Sequence, residues 1–209
     1  MSGSVRAYSV QATPNSAVYP RWGIGVETGA SGSFESSYLL SPMGYFYTYG
    51  YVPGIMREHG IKLTAISQFK LNGNAVFGQN TVNILPRGLS SNGALTSWLA
   101  IRSSVMSKVT ADYALPVYIG DLSIGGSMFS IKRLVLTPHF DCTFFGKSSL
   151  WSAGADFILD LHSILTFGWP CSFGVTFSYN GGPAFNTLAA ESGISIDRWH
   201  VGPTFNVSF

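Results

Sequence analysis

His200-Val201-Gly202-Pro203-Thr204-Phe205-Asn206-Val207-Ser208-Phe209 closes the chain, and its reading decides the fold. Counted back by twos from the end, Phe209, Val207, Phe205, Pro203, Val201 and Trp199 share one face. Ser208, Asn206, Thr204, Gly202, His200 and Arg198 share the other. A period of two marks a strand with one apolar and one polar side. A soluble sheet shows such alternation too, but rarely carries it to the last residue with large aromatics on the apolar side. A wall between lipid and a polar interior requires every strand to read this way.

The composition agrees with that reading. The 209 residues are 46% hydrophobic and 14% aromatic but only 11% charged, against about 25% charged for ordinary soluble domains. Mean hydropathy is +0.24. No apolar run approaches the roughly 18 residues of a membrane-crossing helix. The apolar residues are dispersed by alternation instead, as a lipid-facing barrel demands. A net charge of +2 makes no case for nucleic acid. Met1-Ser2-Gly3-Ser4-Val5-Arg6 does not read as a secretory signal. The expectation is therefore a processed chain, or a piece of a longer one. Cys142 falls on an apolar strand face with Phe140 and Phe144, and it and Cys171 read as two packed thiols rather than a disulfide.

Working back from the terminus, the pattern predicts about eight antiparallel strands in a meander. Trp22–Ala30, Gly44–Val52, His59–Lys70, Met106–Ile119, Arg133–Phe145, Trp151–Leu161 and Phe173–Asn180 precede the last one. Residues 1–20 read as a lead-in, with a partial strand at Val5–Ala12, and 21–209 as the barrel region. No helix-period segment of useful length is legible. Tyr45, Tyr47, Tyr49 and Tyr51 form a stripe that reads as a lipid-interface or barrel-wall feature rather than a sugar-binding ladder. His59, His139, His162 and His200 lack metal-ligand spacing, and His139 and His200 are expected on the inner face as hydrogen-bonded wall residues. No cofactor is expected. The serines are many, and none sits in a nucleophile elbow.

Loop lengths set an orientation. Barrels of this kind keep short turns in the periplasm and long loops outside. With Phe209 at the periplasmic rim, Asn180–Asp197 is extracellular, Leu161–Ser172 periplasmic and Leu71–Ser97 extracellular. The two longest connections thus fall on one side. The Leu71–Ser97 segment is long for a hairpin connection. It carries Gly73, Gly78 and Gly88, and its Val76, Phe77, Val82, Ile84 and Leu85 suggest packing over the mouth of the interior. It also contains Leu85-Pro86-Arg87-Gly88-Leu89. A guanidinium can hold carboxylates bidentately, and Asp112, Asp141 and Asp156 all fall on inward positions. Arg87 is therefore expected within hydrogen-bond reach of Asp112 or Asp141.

Several motifs carry a resemblance. His200, Gly202, Phe205 and Val207 fill a pattern similar to the recognition signal in the last strand of bacterial outer-membrane barrels, and Phe209 supplies its terminal aromatic. With Arg87-Gly88 in a long loop, Asp112 four residues before Pro116, and Asp141 in the next strand, the order resembles the carboxy-terminal half of the BamA-type family, the bacterial surface-antigen barrels. In that family an Arg-Gly-aromatic loop motif folds into the lumen and its arginine pairs with acidic residues of the two following strands. This chain departs from the pattern at Leu89, Pro86 and Thr143. The resemblance covers roughly Asn72 to Phe209. It implies a non-enzymatic protein of the bacterial outer membrane acting in protein insertion or export, with about half of a larger barrel present here. Lipid, client polypeptides and periplasmic accessory domains or proteins are the implied partners, and Trp199–Phe209 one side of a seam. The competing class is a small self-contained barrel serving as anchor, adhesin or pore; a lipid-modifying barrel enzyme is a third.

Overall fold

The structure, a computed structural model, describes residues 2–14, 17–31, 43–71, 84–90, 92–124, 129–164 and 171–207. Nine strands follow one another: β1 (Ser2–Val10), β2 (Gly23–Ser31), β3 (Met43–Pro53), β4 (Gly60–Lys70), β5 (Val105–Ile124), β6 (Phe129–Phe145), β7 (Ser148–Ile164), β8 (Cys171–Gly181) and β9 (Trp199–Val207). They form one sheet in sequence order, each antiparallel to the next. The all-β meander expected from the alternation is therefore present, with one strand more than the eight. The partial strand at Val5–Ala12 is a full nine-residue edge strand, paired with β2 from Ser2↔Ser31 to Val10↔Gly23. Among the described residues two short α-helices, α1 (Gly93–Arg102) and α2 (Phe185–Ser192), depart from the expectation of none. Asn92 caps α1 by accepting the Leu95 N–H at 3.0 Å.

The register gives the sheet two unlike faces. Tyr47↔Ile66, Ile66↔Lys108, Lys108↔Thr143 and Thr143↔Leu150 lie on one line across β3 to β7. Directly paired residues share a face, so the charged and hydroxyl side chains collect on this inner side. Phe140, Phe157, Phe173, Phe177, Trp199 and Phe205 stand exposed on the other. A monomer in water rarely leaves so large an apolar surface uncovered. The tyrosine stripe of β3 belongs to the inner face: Tyr45 donates to Glu27 of β2 at 2.7 Å, and Tyr47 packs against the buried apolar cluster. It is a wall feature of the inner face.

The connections over 71–104 and 182–198 leave the same edge of the sheet, here called the upper rim; those over 11–22 and 54–59 leave the lower rim. The core sits on the inner face below the upper rim. Leu85 and Leu89 of the loop, Leu95 and Leu99 of α1, and Phe185 and Leu188 of α2 pack there on Met43, Ile66, Met106, Phe145 and Leu150. Val76, Phe77, Val82, Gly73, Gly78 and Phe209 lie outside the described residues. Cys142 and Cys171 are free thiols.

The sheet is not closed: among the described residues β1 pairs only with β2 and β9 only with β8. An odd number of antiparallel strands also makes β1 and β9 run in the same direction. Closing these nine on themselves would need a parallel pair.

At the upper rim β6 turns into β7 through two residues, with Phe145 paired to Ser148 and Gly146 at φ 57. A side chain in that left-handed conformation costs roughly 1 kcal/mol. Gly146→Ala is accordingly expected to lower the unfolding free energy by about that amount and shift the denaturation midpoint down, and an unchanged midpoint would contradict the turn.

Candidate functional site

Arg87 opens a 3-10 turn, Arg87–Leu89, that the loop lowers onto the inner face. Pro86 precedes it with φ −55, a value the proline ring fixes. The turn is held by its own backbone and by the wall. The Leu89 N–H donates to the Pro86 carbonyl at 2.9 Å, and Ser90 Oγ to the Arg87 carbonyl at 2.8 Å. From the wall, Thr143 Oγ1 donates to the Ile84 carbonyl at 2.5 Å, Lys108 Nζ to the Leu85 carbonyl at 2.7 Å, and Asn180 Nδ2 to the Gly88 carbonyl at 3.3 Å. Successive loop carbonyls are thus taken by β6, β5 and β8. A buried loop must satisfy its backbone this way or forfeit hydrogen-bond energy.

The guanidinium reaches three strands. Arg87 Nη1 donates to Asp156 Oδ2 of β7 at 2.7 Å. Nη2 donates to Asp112 Oδ1 of β5, and lies 3.3 Å from Asp141 Oδ1 of β6. The Arg87 backbone N–H donates to the other Asp141 oxygen at 2.8 Å. Asp141 is fully buried, and Lys108 Nζ stands 3.5 Å from it. Burial opposes the charge on Arg87, but Asp141, Asp112 and Asp156 more than offset it, so its pKa lies above the ordinary value.

Three carboxylates face two cations, Arg87 and Lys108, which leaves the cluster one negative charge when His139 is neutral. His139 is buried beside it, with Nδ1 3.5 Å from Asp156 Oδ2 and Nε2 3.3 Å from Ser178 Oγ. Thr176 Oγ1 donates to the remaining Asp156 oxygen at 2.7 Å. Ser178 is itself fully buried under the loop. Ser178, His139 and Asp156 thus line up along the buried wall.

The structure brings together Arg87, Gly88, Asp112 and Asp141, and adds Asp156, whose inward parity was legible. Gly88 has a spatial reason: a Cβ there would stand 2.2 Å from Asn180 Oδ1. Lys108, Thr143 and Asn180 are site residues that sequence reasoning missed. Lys108 shares the parity of Thr110 and Asp112, so strand periodicity alone could have found it. Of the terminal motif, His200, Gly202 and Phe205 lie in β9, His200 paired with Ser178 and Gly202 with Thr176 on the inner face, and Phe205 exposed on the outer. Val207 is described by its backbone only. His200 thus lies one strand beyond Ser178, whose hydroxyl stands 3.3 Å from His139 Nε2 beside the Arg87 cluster. Among the described residues no His/Cys/Asp/Glu group has metal-site geometry.

No protein-family model, curated protein or solved structure matches this chain.

Removing Arg87 leaves buried carboxylates without their cation, a loss of about 3–5 kcal/mol. Arg87→Ala is expected to abolish heat-modifiability or lower its onset, and to open 84–102 to protease. Arg87→Lys should rescue in part, because an ammonium lacks the planar fork that spans three carboxylates. Gly88→Val is expected to give the same protease sensitivity with all charges retained; full protection in both Arg87→Ala and Gly88→Val would contradict the contact set.

Proposed function

We propose that this chain is a membrane-spanning β-barrel region of the bacterial outer membrane, of the assembly and translocation type its motifs resemble, acting in the insertion or export of other polypeptides. One observation carries the reading: a long loop turned inward, with Arg87 bonded to carboxylates of three successive strands on a sheet whose other face is apolar. The resemblance implied that loop and its first two acidic partners, and the inner-face geometry supports it. The outer aromatics suit lipid, and strands of 9 to 11 residues, as in β1–β4, β8 and β9, are about the length that crosses the hydrocarbon core.

The mechanism would reside at the β9 edge. Its outward backbone groups can pair with an extended client segment, and β-augmentation of this kind supplies main-chain hydrogen bonds without sequence specificity. The parity of the meander favours this reading over a self-contained anchor or pore. An odd number of further strands, antiparallel to both edges, completes an all-antiparallel ring, whereas nine strands alone do not.

Depletion in the bacterium that carries the protein tests this. A general fall in other outer-membrane β-barrels, with their unfolded forms accumulating in the periplasm, is expected. An unchanged outer-membrane profile with loss of adhesion or conductance alone would overturn the assembly reading.

A further inference from the structure

The connection between β1 and β2 does not stay at the lower rim in solvent. Ala17 is buried, and its carbonyl accepts from Arg133 Nη1 of β6 at 2.8 Å. Arg133 also pairs with Asp160 Oδ2 of β7, and the other Asp160 oxygen accepts from Ser172 Oγ of β8 at 2.7 Å. Three strands thus cooperate to present one guanidinium to one backbone carbonyl. A charge-assisted bond of this kind is stronger than a neutral one and fixes direction.

Two residues on, the same segment reaches the opposite wall. The Tyr19 ring lies 5.8 Å from that of Tyr51 in β3, and Lys62 Nζ of β4 stands 6.0 Å over it. Gly60 leaves the space: a Cβ there would stand 3.1 Å from Tyr19 Cβ. Burial pushes the Tyr19 hydroxyl well above its ordinary pKa. Beneath Val18 and Tyr19 a cavity of about 260 Å³ extends to Asp156, the carboxylate that Arg87 holds from the upper side. A solvated hairpin loop has no use for a buried alanine, a dedicated arginine and a glycine cut to its tyrosine.

We propose that Ala17–Pro20 is an internal latch: it enters from the lower rim, ties the β3–β4 wall to the β6–β8 wall through Tyr19 and Arg133, and shuts the end of the interior opposite the Arg87 loop. The latch stands on these contacts and does not depend on the family or the client. It covers the lower end of the inner face as the Arg87 loop covers the upper end, so clearing that face from rim to rim requires two separate releases.

Labelling with a membrane-impermeant maleimide tests this in the full chain, in a Cys142→Ala, Cys171→Ala background. Ala17→Cys is compared with Ile55→Cys, a lower-rim turn residue that is 91% exposed. Ala17→Cys is expected to react at least about tenfold more slowly, since its labelling needs local opening. Adding Arg133→Ala from one wall, or Gly60→Val from the other, should bring its rate towards that of Ile55→Cys. Adding Arg87→Ala should leave it protected, which separates the latch from the upper loop. Equal rates for Ala17→Cys and Ile55→Cys in the otherwise unchanged protein would overturn the proposal, whatever the variants do. So would protection lost with Arg87→Ala but kept with Arg133→Ala in variants that retain their strand content.

Discussion

The guanidinium of Arg87 between Asp112, Asp141 and Asp156 is the interaction on which the interior depends. Carboxylates on three adjacent strands would repel one another if left alone in a half-desolvated space. At an effective dielectric near 20, two like charges about 4 Å apart cost about 4 kcal/mol. A cation must come from somewhere, and Lys108 supplies only one. The second arrives on a loop, and the loop must come with it. Burying that loop creates a further debt of unpaired carbonyls, which Thr143, Lys108 and Asn180 meet from the wall. The apolar residues on either side of Arg87 then have somewhere to go, and α1 and α2 close over them as a cap.

The same alternation that builds a lipid-compatible outer face makes this possible. A residue at every second position faces inward, so Asp112, Asp141 and Asp156 converge although 29 and 15 residues separate them along the sequence. The inner face is polar near its middle and apolar under the upper rim. Several charges there are paired: Arg133 with Asp160, Arg6 with Glu27, and Arg87 with its three carboxylates. Two inward segments, one from each rim, share the Asp156 neighbourhood.

Much of this was legible because strand parity is a strict rule. Once Phe140 and Phe144 are placed outward, His139, Asp141 and Thr143 must turn inward, and they do. Other parts were not legible for identifiable reasons. In α1, Asn92 and the Leu95/Leu99 spacing are valid helix signals, but Gly93 and the short, neutral surroundings dilute them. β1 is hard to see because Ser2-Gly3-Ser4 carries little alternation; its partner Glu27 pairs with Arg6 and supplies what the local sequence lacks. The tyrosine stripe is amphipathic and fits either face by pattern. Its inward side follows from Gly25 and Gly29 on β2, over which the Tyr49 and Tyr45 rings lie. Ala17–Pro20 gave no signal, since its anchor, Arg133, is more than a hundred residues away.

A double-mutant cycle between Arg87→Ala and Asp141→Ala, measured by reversible unfolding of the full chain in lipid bilayers, tests the central interaction most directly. These residues are joined through the guanidinium, and Lys108 lies beside Asp141; the bond from the residue 87 backbone N–H survives Arg87→Ala, so the coupling reports the side-chain contact. The expected result is strong non-additivity, with a coupling of about 2 kcal/mol or more. Losses that simply add, to within about 0.5 kcal/mol, would contradict the claim that this contact holds the loop in the interior.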